Sequence, residues 1–229
     1  MKKSAGICLA LGFLTLASSR AGAVPLLEIV TSSNPTWATT YPLPLAGSHD
    51  VAVTQGQIGW YAGNLRALEN VELTFTYLGK EAGWTNALYS GGSQVFNTAT
   101  SSPGQTGTGS ATAGSWVDFV LAVLSGGNAG LSVTNGSNVA PIGVLGNGAY
   151  GAPNFWLGYV NGSQNSVYVA FDDGGGFWNG RIDDDNHDDL VFQITAVSVP
   201  EPAALTMFGA GLLIVGIGAR RRRQLRGEA

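Results

Sequence analysis

Residues 71–77, Val-Glu-Leu-Thr-Phe-Thr-Tyr, alternate apolar and polar side chains, which puts Val71, Leu73, Phe75 and Tyr77 on one face of a half-buried strand. Val167, Val169 and Phe171 alternate in the same way with Ser166, Tyr168 and Ala170. Asn161-Gly162 stands between that run and Phe155-Trp156-Leu157-Gly158-Tyr159, and this dipeptide is a strong signal for a tight hairpin turn. A last strand is predicted over residues 190–197, with Leu190, Phe192 and Ile194 inward. Residues 116–124 are almost continuously apolar and fit either a central strand or a short helix. Residues 64–70 suggest a helical turn. Residues 98–115, rich in Gly, Ser and Thr, read as a long mobile loop, or alternatively as a boundary between two small domains.

Short strands separated by Gly, Asn and Ser clusters predict an all-β protein, a single β-sandwich or jelly-roll-like domain over residues 24–198. The two ends of the chain follow a different pattern. Lys2 and Lys3 precede an apolar stretch at 7–17 and the small residues Ala21-Gly22-Ala23, the arrangement of a cleaved signal peptide over residues 1–23. That apolar stretch is too short to span a bilayer. Cys8, the one cysteine, leaves with it, so the exported part has no thiol for disulfides, metal ligation or nucleophilic chemistry.

At the other end, residues 203–219 carry no charge and precede Arg220, Arg221, Arg222, Arg223 and Arg226. A helix there covers about 26 Å at roughly 1.5 Å per residue, near the lower limit for a transmembrane segment. The positive-inside rule leaves the arginines cytoplasmic and residues 24–200 outside. The G-x-x-x-G pairing motif is absent, since no two glycines of this segment stand four apart, so the helix is expected to anchor and not to dimerise.

Removing both ends changes the charge. Residues 24–200 contain Arg66, Lys80 and Arg181 against thirteen acids, about −10, whereas the whole chain carries −4. Such a domain repels phosphates and is not expected to bind nucleic acid. Seven of those acids fall within residues 172–189: Asp172, Asp173, Asp183, Asp184, Asp185, Asp188 and Asp189. Crowding carboxylates between two apolar strands is costly unless a cation sits among them, and calcium accepts six to eight oxygen ligands in flexible geometry. Asp184-x-Asn186-x-Asp188 places oxygen side chains on alternate positions, as a calcium loop does at its start. It is no EF-hand, because Asp189 and Thr195 occupy the positions of the required Gly and Glu. The candidate ligands are therefore Asp172, Asp173, Asp184, Asn186, Asp188 and Asp189 of a β-loop site; a solvated acidic loop with no fixed ion is the bland alternative.

Two resemblances add to this. Pro200-Glu201-Pro202, one apolar helix and the arginine cluster at 220–226 form, in order, the tripartite pattern of PEP-CTERM proteins over residues 199–229. The resemblance implies recognition and removal of the tail by an exosortase, with Pro200, Glu201, Pro202 and Arg220 to Arg223 as the sorting signal. It also implies transient inner-membrane anchoring, followed by release to the cell surface or extracellular matrix. Two prolines hold the motif extended and deny it helical hydrogen bonds, which suits entry into a protease cleft. Second, Val169-Ala170-Phe171-Asp172-Asp173-Gly174-Gly175-Gly176, with Asp183 to Asp189 and Leu190-Val191-Phe192, resembles the signature of the DUF4114 domain over residues 115–198. His187 stands where that family has an aromatic, and residues 177–182 interrupt the register. This second resemblance implies an acidic or calcium-dependent exported module without assigned activity.

No enzymatic role is expected. The mature histidines, His49 and His187, read as a turn residue and a loop residue, the latter with an outer-shell role at the ion as its alternative; a Ser/His/Asp triad drawn with His49 carries no information in a chain so rich in Ser and Asp. The expected role is a component of the extracellular polysaccharide matrix, stabilised by calcium. The alternative is a calcium-dependent lectin-like module, with Trp178 as the sugar-stacking residue; a polysaccharide-modifying enzyme ranks below both.

Overall fold

A computed structural model describes residues 24–31, 51, 59–138, 153–174 and 187–199. The predicted signal peptide and C-terminal helix lie outside these residues. Eleven strands and no helix form the described part: β1 (Leu27–Thr31), β2 (Trp60–Ala67), β3 (Val71–Gly79), β4 (Asn86–Ser90), β5 (Ser93–Asn97), β6 (Thr106–Ala111), β7 (Val120–Val123), β8 (Ser132–Thr134), β9 (Asn154–Val160), β10 (Ser163–Asp172) and β11 (Leu190–Ser198). Every pairing is antiparallel, in a seven-stranded sheet of order β1-β2-β9-β10-β11-β3-β6 and a four-stranded sheet of order β5-β4-β7-β8.

The alternation along the chain explains how the sheets join. Val71, Leu73, Phe75 and Tyr77 are buried while Glu72 and Thr74 are exposed, so one face of β3 turns to the core. Phe155, Leu157, Val167, Val169, Phe171, Leu190, Phe192 and Ile194 join them in a single cluster with Leu88, Phe96, Leu121 and Val123 of the smaller sheet. Aromatic rings bridge the layers: Tyr77 and Phe96 lie 5.6 Å apart, and Phe119 meets Phe155 at 5.2 Å and Phe192 at 5.9 Å. This is a β-sandwich held by the apolar area that its two inner faces remove from water.

The β9–β10 hairpin turns at Asn161 and Gly162, whose φ values are +50° and +74°. Both positions are left-handed, as a type I′ turn requires, and the right-handed twist of the flanking strands favours that turn. Residues 116–124 resolve into an irregular approach and strand β7, with Trp116 bridging to Arg66.

Two expectations are overturned. Residues 64–67 belong to β2, not to a helical turn, because their backbones pair with β1 and Leu65 and Ala67 are fully buried. Local propensity yields here to long-range pairing. Asn135, from the turn after β8, accepts the Leu65 N–H at 2.7 Å and donates to the Leu65 carbonyl at 2.7 Å. Residues 98–115 are likewise not one long loop, since β6 lies inside them and pairs with β3 from Thr106 to Ala111. Two of its three inward positions, Gly107 and Gly109, are glycines, so the pattern of a strand is hidden. A Cβ on Gly109 would stand 2.9 Å from the Phe75 ring, and one on Gly107 would overlap Val95. The core leaves no room there for the side chains that ordinarily mark a strand.

Candidate functional site

One end of the sandwich gathers a cluster of acids and amides. Asp172 is the last residue of β10, Asp173 follows it, and Asp189 directly precedes β11. Because β10 and β11 are antiparallel neighbours, the end of one strand and the start of the next meet, and Asp189 N–H donates to the Phe171 carbonyl at 3.1 Å. Carboxylate oxygens of Asp172, Asp173 and Asp189 all lie within 4.8 Å of one another. Asp172 and Asp173 are buried and Asp189 is half-buried.

Amides orient these groups. Asn154 stands directly opposite Asp172 in the β9–β10 register and donates from Nδ2 to Asp172 Oδ2 at 3.1 Å. Its Oδ1 therefore faces His187 Nε2 at 2.8 Å, which places a proton on that ring nitrogen. The same nitrogen is 3.8 Å from Asp172 Oδ2, and the ring packs edge-to-face on Trp156 at 5.5 Å. Asn86, the first residue of β4, donates to Asp173 Oδ2 at 2.9 Å. Asn128 donates to the carbonyls of Asp173 at 3.0 Å and Gly174 at 2.7 Å. Backbone N–H groups complete the frame, Gly174 to Asp172 Oδ1 at 2.7 Å and Asp173 to Asp189 Oδ2 at 2.8 Å.

Three of the six residues expected to ligate an ion thus converge. Asp188 is fully buried but stands apart from that trio, its Oδ2 accepting the Val51 N–H at 2.7 Å. Asp184, Asn186 and the sugar-stacking candidate Trp178 lie outside the described residues. His187, read from the sequence as a loop side chain, is 2 % exposed and holds a left-handed backbone at φ +56°. Asn86, Asn128 and Asn154 escaped the sequence reading. Asn86 and Asn154 each open an otherwise apolar strand, Asn-Ala-Leu and Asn-Phe-Trp-Leu, and a polar residue at that place is the available signal.

The donor set suits a hard cation. Three carboxylates this close repel one another when ionised, and each oxygen that accepts one hydrogen bond retains a second lone pair. Asn86 Oδ1 is buried with no hydrogen-bond partner among the described residues, beside the amide nitrogen that holds Asp173.

Residues 198–223 match the model of the PEP-CTERM protein-sorting motif. The chain carries a PEP-CTERM sorting signal. The match takes in Pro200, Glu201, Pro202 and Arg220 to Arg223, all outside the described residues; it covers none of residues 115–197, and the DUF4114 resemblance is not confirmed. The motif implies export, a membrane-anchored sorting signal at the C-terminus and processing by an exosortase. No curated protein and no solved structure matches the chain.

Proposed function

We propose that this is a non-enzymatic surface or matrix protein whose working form is the acidic β-sandwich left after an exosortase removes the tail, and that calcium bound near Asp172, Asp173 and Asp189 orders one end of it. The sorting motif at 198–223 carries this reading. Support for the ion comes from the three convergent carboxylates and from the buried Asn86 Oδ1, an acceptor that a cation would satisfy. Asp184 and Asn186 are the further oxygen donors that the sequence offers to the same ion. Extracellular calcium is abundant, so a weak site suffices, and acidic surfaces joined through such ions fit a polysaccharide matrix.

The test follows the chain in exosortase-bearing cells. The wild-type protein is expected to lose its tail and leave the inner membrane. Replacing Pro200, Glu201 and Pro202 with alanine is expected to leave it at full length in the membrane fraction. Release of that variant at the wild-type rate rejects exosortase sorting. A glycan-binding screen separates the matrix role from the lectin one, since the lectin reading requires saturable binding that Trp178→Ala abolishes.

A further inference from the structure

Strand β6 ends the seven-stranded sheet, with β3 as its only ladder partner among the described residues. Tyr77 N–H donates to the Gln105 carbonyl at 2.9 Å, so the residues of β3 that bond toward β6 are Tyr77 and, by alternation, Phe75, Leu73 and Val71. Opposite them stand Gln105, Gly107, Gly109 and Ala111. Thr106, Thr108 and Ser110 therefore turn their N–H and C=O groups away from the sheet, and no described residue hydrogen-bonds to them. A cleft of about 320 Å³ opens beside this edge, lined by Ser90, Gly91, Thr108, Gly109, Ser110 and Asp118.

Edge strands in monomeric proteins ordinarily carry charges, prolines or bulges that discourage pairing. Thr-Gly-Thr-Gly-Ser-Ala has none of these. The opposite edge, β1, carries Glu28, paired with Arg66. Residues 82–117 contain no Asp, Glu, Lys, Arg or His, in a domain otherwise carrying about ten net negative charges. Residues 119–171 are uncharged as well, and seven of the thirteen acids fall within 172–189, so β6 itself sets no charge against its own copy; the nearest acids are Glu72, opposite Ser110 on β3, and Asp118 of the cleft.

We propose that two copies of this chain associate by antiparallel pairing of β6 with β6, which joins their seven-stranded sheets into one. Three outward-facing residues centred on Thr108 are self-complementary. A two-fold axis midway between two Thr108 residues and perpendicular to the sheet pairs Thr108 with its own copy and Thr106 with Ser110, and each pairing exchanges two backbone hydrogen bonds. Side chains stay on matching faces, because Thr106, Thr108 and Ser110 all lie on the exposed face.

The test uses cysteines in the full chain with Cys8→Ser as background. Thr108→Cys places two sulfur-bearing residues about 5.5 Å apart between Cα atoms, within disulfide reach. Thr106→Cys leaves its two copies about 14 Å apart along the strands, out of reach. Non-reducing electrophoresis is expected to show a Thr108→Cys dimer at least tenfold more abundant than a Thr106→Cys dimer, and co-expressed Thr106→Cys and Ser110→Cys chains are expected to link to each other. Equal linking of Thr106→Cys and Thr108→Cys overturns the proposal, as does no linking of a Thr108→Cys chain that melts at the wild-type temperature. Sedimentation of the detergent-solubilised full chain gives a second reading. Thr108→Pro removes only an outward N–H, so it is expected to halve the two-copy mass of the wild type without shifting the melting temperature; a one-copy wild type, or a two-copy proline variant, refutes the pairing.

Discussion

Asn86 Nδ2 lies 2.9 Å from Asp173 Oδ2, a bond between residues 87 apart in sequence that ties the four-stranded sheet to the seven-stranded one at the acidic end. Both residues are buried. Asn86→Ala removes one buried hydrogen bond to the Asp173 carboxylate and is expected to cost about 1–3 kcal/mol, read from denaturant midpoints at unchanged slope. Asn86→Asp adds a fourth carboxylate beside the three. Its penalty should shrink when calcium is present, and equal penalties with calcium and with chelator would argue against an ion at this place.

Calcium itself is expected to raise the melting temperature of the exported protein, by the equivalent of about 2.7 kcal/mol at a hundredfold excess over its dissociation constant. Asp189→Asn and Asp172→Asn should each remove most of that shift, because each withdraws a charged ligand from a site of three. An identical melting curve in calcium and in chelator sinks the ion.

Gly109 is confined from two sides, with the Phe75 ring 2.9 Å and Ser90 Oγ 3.2 Å from where a Cβ would be. Phe75 is fully buried and cannot yield without disturbing its neighbours. Gly109→Ala is therefore expected to destabilise by about 1–3 kcal/mol. Combining it with Phe75→Leu should cost less than the sum of the two single changes, and strict additivity in that double-mutant cycle would show that the contact is not the cause.

Phe119 precedes β7 and packs against Phe155 and Phe192 of the other sheet. Phe119→Ala removes a fully buried ring from the seam between layers, with an expected loss of about 3–5 kcal/mol. By contrast, Glu28→Ala breaks an ion pair whose two side chains are about 40 % exposed, and its expected cost is below about 1 kcal/mol. Chemical denaturation of the two variants side by side would reverse this ranking only if the sheet interface were loosely packed.

The sequence alone determined what local pattern can encode. Period-two alternation marks β3, β10 and β11 because half of each strand's side chains face the core, and Asn161-Gly162 marks the hairpin because its turn needs two left-handed residues. The tail is legible for the same reason: Pro200, Glu201, Pro202 and the arginines follow one another within one short segment, and the sorting-motif match covers residues 198–223. The charge imbalance near Asp172 to Asp189 is legible too, as a local excess.

Tertiary structure decided the rest. Residues 64–67 and 106–111 become strands because β1 and β3 offer them a ladder, and at Gly107 and Gly109 the facing Val95 and Phe75 exclude the apolar side chains that would have announced a strand. Asn86, Asn128 and Asn154 reach the acids from three distant segments, so no spacing records them. Hydrogen bonds and charges act through distance in space, and only the packing of two sheets brings positions 86, 154, 172 and 189 within that distance.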